Sequence, residues 1–199
     1  RRYVNFHHQA LFGDNWQVIS GIEDVSDETS FEDLGSSLSV TSQTHLNRFV
    51  DVGFFAPSWS VLGRVQNYQT IDPILSDADR PYERVPQIVF NGSWLGRLIG
   101  FDSSTELVNF DRNVGVTGWR LDSTQELSLR FARAGMYLTP AVALRQTNYW
   151  LDNTAPGADT RPSRGLPITS LDSGMKFERD VGHGGRSWIQ TLEPRLLYV

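Results

Sequence analysis

The run Glu126-Leu127-Ser128-Leu129-Arg130-Phe131-Ala132-Arg133 alternates apolar and polar side chains without a break. In a strand, successive side chains point to opposite faces, so Leu127, Leu129 and Phe131 share one face and Glu126, Ser128 and Arg130 the other. A second run follows at once, Leu138-Thr139-Pro140-Ala141-Val142-Ala143-Leu144-Arg145, with Leu138, Val142 and Leu144 opposite Thr139, Ala141, Ala143 and Arg145. Only a few residues around Ala134-Gly135-Met136 separate the two, which is the spacing of an antiparallel hairpin.

The same alternation recurs in both directions. Trp59, Val61 and Val65 alternate with Ser60, Arg64 and Gln66; Leu171, Met175 and Phe177 with Asp172, Lys176 and Glu178; Leu192, Leu196 and Tyr198 with Glu193, Arg195 and Leu197. The pattern predicts about ten strands, near 2–9, 15–24, 41–55, 58–70, 86–95, 100–111, 123–134, 136–149, 167–180 and 186–199. The connections alternate in length. Ala10–Asp14, Ala56-Pro57, Gly96–Ile99, Gly135 and Val181–Gly185 are short; Val25–Val40, Ile71–Val85, Arg112–Asp122 and Trp150–Leu166 are long. Tight turns at one end and long loops at the other are the layout of an up-and-down transmembrane β-barrel. Greek-key sandwiches do not keep that rhythm. Trp16, Phe54, Phe55, Trp59, Trp94, Tyr137 and Trp188 flank the short turns, where a barrel places an aromatic girdle.

Composition narrows the function. Hydrophobic residues make up 39% and charged residues 21%, so the chain is not disordered, and no stretch approaches the roughly 20 apolar residues of a spanning helix. Barrel strands need only about 9 to 11 residues each, so hydropathy does not argue against membrane insertion. A net charge of −5 without a basic stripe speaks against nucleic acid as a partner. Of the 18 basic residues only Lys176 is a lysine, and cysteine is absent, which removes disulfides, thiolate metal sites and cysteine nucleophiles. The chain opens at Arg1-Arg2-Tyr3 and closes at Leu197-Tyr198-Val199 within a strand pattern, and is expected to be one partial barrel domain, 1–199, cut at both ends.

The C-terminal hairpin carries the most specific motif: Phe177-Glu178-Arg179-Asp180, a glycine-rich turn, then Gln190-Thr191-Leu192-Glu193-Pro194-Arg195. Together with Arg1-Arg2-Tyr3, Val25-Ser26-Asp27, Phe31 and Asp33, it resembles the barrel of the LptD family of lipopolysaccharide-assembly proteins, and the similarity is collinear from end to end. The resemblance implies a large outer-membrane barrel of which this chain is a piece from the N-terminal half. It implies an LptE-like plug lipoprotein in the lumen and a jellyroll domain, absent here, that takes lipopolysaccharide from a periplasmic bridge. It also implies lipid exit through a seam between first and last strands, and contact with outer-membrane lipid. Neither catalysis nor a cofactor belongs to that function.

The residues themselves allow other readings. Lys176, Glu178, Glu193, Arg195, Glu126, Arg130 and Arg145 fall opposite the apolar stripe. There they form either a polar path with plug contacts or cross-strand pairs that hold register. His7-His8 lack a third ligand at metal spacing, and no nucleophile elbow of the Gly-x-Ser-x-Gly kind occurs. Gly182-His183-Gly184-Gly185 reads as a turn, and Asp72, Asp77, Asp79 and Glu83 as a solvated acidic loop rather than a cation site. The alternatives are another outer-membrane barrel, a porin or receptor, or a secreted glycan-binding β-sandwich. A sandwich would bury its apolar face, whereas a barrel turns it outward to lipid.

Overall fold

A computed structural model describes residues 2–26, 44–183 and 186–199, with His183 and Arg186 described by backbone alone. The strands are β1 (Tyr3–Phe12), β2 (Trp16–Val25), β3 (His45–Phe55), β4 (Trp59–Thr70), β5 (Glu83–Leu95), β6 (Ile99–Asp111) and β7 (Thr117–Leu129). They continue as β8 (Phe131–Arg133), β9 (Met136–Asp152), β10 (Ser163–Met175), β11 (Phe177–His183), β12 (Arg186–Leu192) and β13 (Arg195–Tyr198). Pairing is antiparallel throughout, in the order β1-β2-β3-β4-β5-β6-β7-β9-β10-β13, with β8 also on β9 and with β11 and β12 pairing only each other. Nearest neighbours in sequence are nearest neighbours in space, as an up-and-down meander requires.

The ten expected runs are present, three of them interrupted. The β7–β9 ladder stops at Ser128↔Ala141 and resumes in the same register at Phe131↔Leu138. Pro140 lies in the gap, and proline has no N–H to offer a ladder. At the other break, the Met175 amide donates to the Pro194 carbonyl (3.0 Å) and the Lys176 amide to the Gly135 carbonyl (2.7 Å). Beyond that point the neighbouring hairpin has ended, so β11 and β12 continue as a two-stranded arm. The arm pairs Phe177 with Leu192 and Arg179 with Gln190, which joins the two halves of the C-terminal motif across one hairpin. Gly184 and Gly185 of its turn, like Arg1, Asp27, Phe31 and Asp33 of the N-terminal motif and residues 41–43, lie outside the described residues.

The loop rhythm holds with three adjustments, one of which shortens the expected Trp150–Leu166 loop to Asn153–Pro162, because β9 runs on to Asp152 and β10 starts at Ser163. β5 starts at Glu83 rather than near 86, because a register shift between Arg84 and Gln87 absorbs Val85-Pro86 as a bulge. β7 starts at Thr117, which shortens the expected 112–122 loop to Arg112–Val116. Gly118 permits this. Its φ is +136°, and a Cβ there would run into the backbone of Trp150 and Leu151.

Register separates two faces. On one, Trp16 and Phe54 pack edge-on at 5.0 Å, Phe54 meets Trp59 at 5.0 Å and Trp59 meets Phe90 at 6.3 Å. Phe90 then meets Trp94 at 6.3 Å and Trp94 meets Phe101 at 5.6 Å, so six rings form a ribbon across β2 to β6 beside the short turns. Phe101 lies opposite Leu127, which lies opposite Val142, and Leu127 and Val142 are over half exposed. This outer face is apolar and open. The other face is crowded: Ala141, Ala143, Asp51, Gln66, Gln87 and Ser128 are buried there. Two expected girdle residues belong to this inner face instead. Phe55 lies over Gly53 and Tyr137 over Gly174, where the absent side chain leaves room for a ring. Val25, Leu46 and Ile71 form a small apolar cluster at the long-loop end, beside the Gln69 side chain, whose amide nitrogen donates to the Val25 carbonyl at 2.8 Å.

The long loops are tied by one side chain. Arg112 donates to the carbonyls of Ala78 (2.5 Å), Arg80 (3.3 Å) and Val114 (2.7 Å) and to the Tyr82 hydroxyl (3.0 Å). Its guanidinium also lies 4.2 Å from the Tyr82 ring centroid. Arg112→Ala removes all of these while leaving the sheet intact. Charge-assisted hydrogen bonds contribute about 1.5–3 kcal/mol each when well formed, and several are lost together. Limited proteolysis of the full-length protein should therefore cut the 71–82 loop at least tenfold faster in the variant, with unchanged strand content by circular dichroism; equal cleavage rates would show that Arg112 does not hold the loop.

Candidate functional site, a charged ladder on the inner face

Along the inner face, acids and arginines meet across neighbouring strands. Arg64 on β4 forks onto Asp51 on β3 through bonds of 2.7 and 2.6 Å. Arg120 on β7 pairs with Glu106 on β6, and Glu106 also accepts from Gln87 on β5. Arg145 on β9 forks onto Asp122 on β7 at 3.0 and 2.6 Å, with the Thr147 hydroxyl donating to the same carboxylate at 3.2 Å. Arg195 on β13 forks onto Asp172 on β10 at 2.9 and 2.7 Å, and the Tyr137 hydroxyl donates to Asp172 at 3.1 Å. The planar guanidinium suits this task, since it presents two parallel donors to one carboxylate. Each pair bridges adjacent strands and so disfavours a slip in register.

The sequence-predicted residues distribute unevenly over this ladder. Arg145 is in it, on the expected face. Lys176 sits at the bend between β10 and β11 and contacts Glu178 at 2.8 Å and Glu193 at 3.9 Å. The neighbouring Glu178 carboxylate raises the Lys176 ammonium above the ordinary lysine value. Arg195 does not join that group: it turns to Asp172 because β13 leaves the arm and pairs with β10. Glu126 faces Asp102 directly across β6 and β7, and neither forms an ion pair among the described residues. Arg130 likewise makes no ion pair among them, although its amide donates to the Leu98 carbonyl at 2.7 Å. In the arm, Arg179 donates to Gln190 at 2.7 Å, while Glu178 faces Thr191 and Asp180 faces Ile189.

Sequence reasoning missed Asp51, Arg64, Glu106, Arg120, Asp122 and Asp172 as ladder members. The signal was present: each lies at a polar position of an alternating strand. Diagonal pairing, as in Glu106 with Arg120, needs the register and is not readable without it. Other candidates dissolve. His7 and His8 are adjacent on a strand and so point to opposite faces. In the acidic loop, Asp72 caps the Ile74 amide (2.9 Å), Asp77 pairs with Arg80 (3.0 Å) and Asp79 accepts from Ser76 (2.7 Å). Among the described residues no three such side chains converge as a metal site.

The pairs differ in exposure, which sets their value. Asp51 is 6% exposed, whereas the Arg195 side chain is 60% exposed. Asp51→Ala strands a partly buried guanidinium and is expected to cost about 1–3 kcal/mol. Asp172→Ala, at the more exposed pair, should cost clearly less. Urea unfolding of the full-length protein refolded in lipid measures both; the reverse order would contradict this assignment of burial.

The comparisons with known proteins agree with this architecture. The model of the family described as LptD, LPS transport system D, matches residues 1–199. The LPS-assembly protein LptD of Nitrosococcus oceani is 39% identical over 203 residues, covering 100% of this chain and 28% of its own length. That of Aromatoleum aromaticum is 38% identical over 206 residues, with 100% of this chain and 25% of its own length. That of Azoarcus sp. strain BH72 is 41% identical over 192 residues, with 89% and 23% covered. The chain thus spans about a quarter of the length of these relatives. It belongs to the LptD family.

Proposed function

We propose that this chain is a wall segment of an outer-membrane β-barrel that transports lipopolysaccharide and places it in the outer leaflet. The observation that carries the reading is the division of one sheet into two faces, within a chain of the LptD family. The outer face, with its six-ring ribbon and exposed Leu127 and Val142, suits hydrocarbon. The inner face, with its carboxylate–guanidinium ladder, suits a wet lumen where charge costs little. A secreted sandwich would need to cover the outer face with a second sheet, and the meander order leaves none of the described main-sheet strands for that purpose.

On this reading the short turns Gly13–Asn15, Ala56–Ser58, Gly96–Leu98 and Ala134-Gly135 lie in the periplasm, and the long loops reach the cell surface. The inner face then borders the route of the sugar moieties and the surface against which a plug lipoprotein of the LptE kind would sit. The bridge that delivers lipopolysaccharide would meet another part of the full-length protein. No step requires bond chemistry: the work is partition of an amphipathic lipid between an apolar exterior and a polar interior.

Two measurements test the proposal. Depleting the full-length protein in cells should leave newly made lipopolysaccharide inaccessible to surface-acting lipid A-modifying enzymes; a porin or receptor would leave surface lipopolysaccharide unchanged and lower solute uptake instead. Separately, Leu144→Arg, on the outer face at the middle of β9, should destabilise the lipid-embedded protein by about 2–4 kcal/mol. Ser104→Arg on the inner face should change stability by no more than about 0.5 kcal/mol. Equal effects at the two sites would exclude lipid as the outer environment.

A further inference from the structure

The inner face is not uniform in charge along its length. A concavity of about 870 Å³ at the short-turn rim is lined by Arg97, Arg130, Arg133, Tyr137, Thr139 and Asp172, among other residues. Its one carboxylate, Asp172, is already gripped by Arg195 through two bonds. Arg97, Arg130 and Arg133 make no ion pair and no side-chain hydrogen bond among the described residues, and the Thr139 hydroxyl makes none either. Higher on the same face, a smaller concavity also holds three arginines, Arg120, Arg145 and Arg164. Two of those are committed to Glu106 and Asp122. The rim therefore holds the larger uncompensated positive charge.

The backbone brings two of the rim arginines together. Arg97 lies in the turn between β5 and β6, and the bond from the Arg130 amide to Leu98 fixes the end of β7 beside that turn. Arg133 ends the short strand β8 opposite Met136, on the outer face with Phe131, while Ala132 and Tyr137 share the inner one. Two guanidiniums at one opening repel one another unless an anion joins them, and paired guanidinium forks match the oxygens of a phosphate better than lysines would. A free hydroxyl at Thr139 adds a neutral donor. An acidic side chain on a passing polypeptide would satisfy one fork, whereas a phosphate can engage more than one at once.

We infer that Arg97 and Arg130 form a receptor for phosphate-ester groups at the periplasmic mouth of the lumen. This rests on the transport reading above and adds to it the chemical group that the entrance recognises. Two sources share that chemistry, the phosphorylated sugars of lipopolysaccharide and the headgroups of phospholipids in the inner leaflet.

The test uses the full-length protein with its plug partner, and the variant Arg97→Gln/Arg130→Gln. Retention of heat-modifiable mobility in gels first establishes that the variant barrel is folded; single Arg130→Gln replaces the double variant if it is not. Binding is measured with fluorescent lipopolysaccharide, with enzymatically dephosphorylated lipopolysaccharide, and with vesicles of phosphatidylglycerol. Loss of about tenfold or more for lipopolysaccharide, with no change for the dephosphorylated form, supports the receptor and assigns it to the transported lipid. The same loss confined to phosphatidylglycerol vesicles supports it and assigns it to membrane headgroups. Equal binding of wild type and variant to every phosphate-bearing probe overturns the receptor while leaving the transport reading intact. Failure of the wild type to bind any lipopolysaccharide would instead count against the transport reading.

Discussion

Everything in this structure depends on one antiparallel ladder that keeps register across ten successive strand runs. Backbone N–H and C=O groups cannot be left bare in hydrocarbon, so a membrane-spanning sheet has to satisfy them strand to strand. Because side chains alternate with a period of two, the ladder also decides which residues share the open apolar face and which the crowded polar one, the faces proposed above to meet lipid and water. A slip of one residue between β7 and β9 would exchange Val142 for Ala143 and drive Arg145 outward. The carboxylate–guanidinium pairs on the inner face and the ring ribbon on the outer face both oppose that slip. They do so by different physics, one electrostatic and directional, the other a matter of aromatic contact.

The two places where the ladder breaks are informative for the same reason. Pro140 costs a ladder hydrogen bond in the wall, yet register is kept on either side, so the wall is locally softened without being re-aimed. At Lys176 and Pro194 the sheet divides instead. β10 and β13 stay in the wall, and the C-terminal motif runs on as an arm held at its base by Lys176 between Glu178 and Glu193. The motif residues thus serve geometry at least in part: they mark where two strands leave the sheet together and return to it.

Much of this was legible in the sequence, because alternation, turn residues and connection length are local properties. The faces of Leu127, Val142 and Arg145 followed from period and spacing, and the hairpin between the two halves of the C-terminal motif from its glycine-rich turn. What escaped was whatever depends on the neighbour across the ladder. Phe55 and Tyr137 were assigned to the girdle because they flank turns, but glycines on the same face, Gly53 and Gly174, offered them room inside. Arg195 was grouped with Lys176, Glu178 and Glu193 opposite the apolar stripe, and it found Asp172 because β13 pairs with β10 rather than continuing the arm. Arg97 and Arg130 are far apart in sequence and line one concavity only because the β5–β6 turn lies beside the end of β7.

The central claim is that alternate residues of one strand face lipid and water. The segment contains no cysteine, so single cysteines can be placed at Val142 and at Ala143 of the full-length protein reconstituted in lipid. Nitroxide labels at the two sites would be compared for collision with oxygen, which concentrates in hydrocarbon, and with a water-soluble nickel chelate. The account expects oxygen to dominate at position 142 and the chelate at position 143, with the preference reversing again at Leu144. Equal accessibility at all three positions, or the chelate dominating at 142, would contradict it.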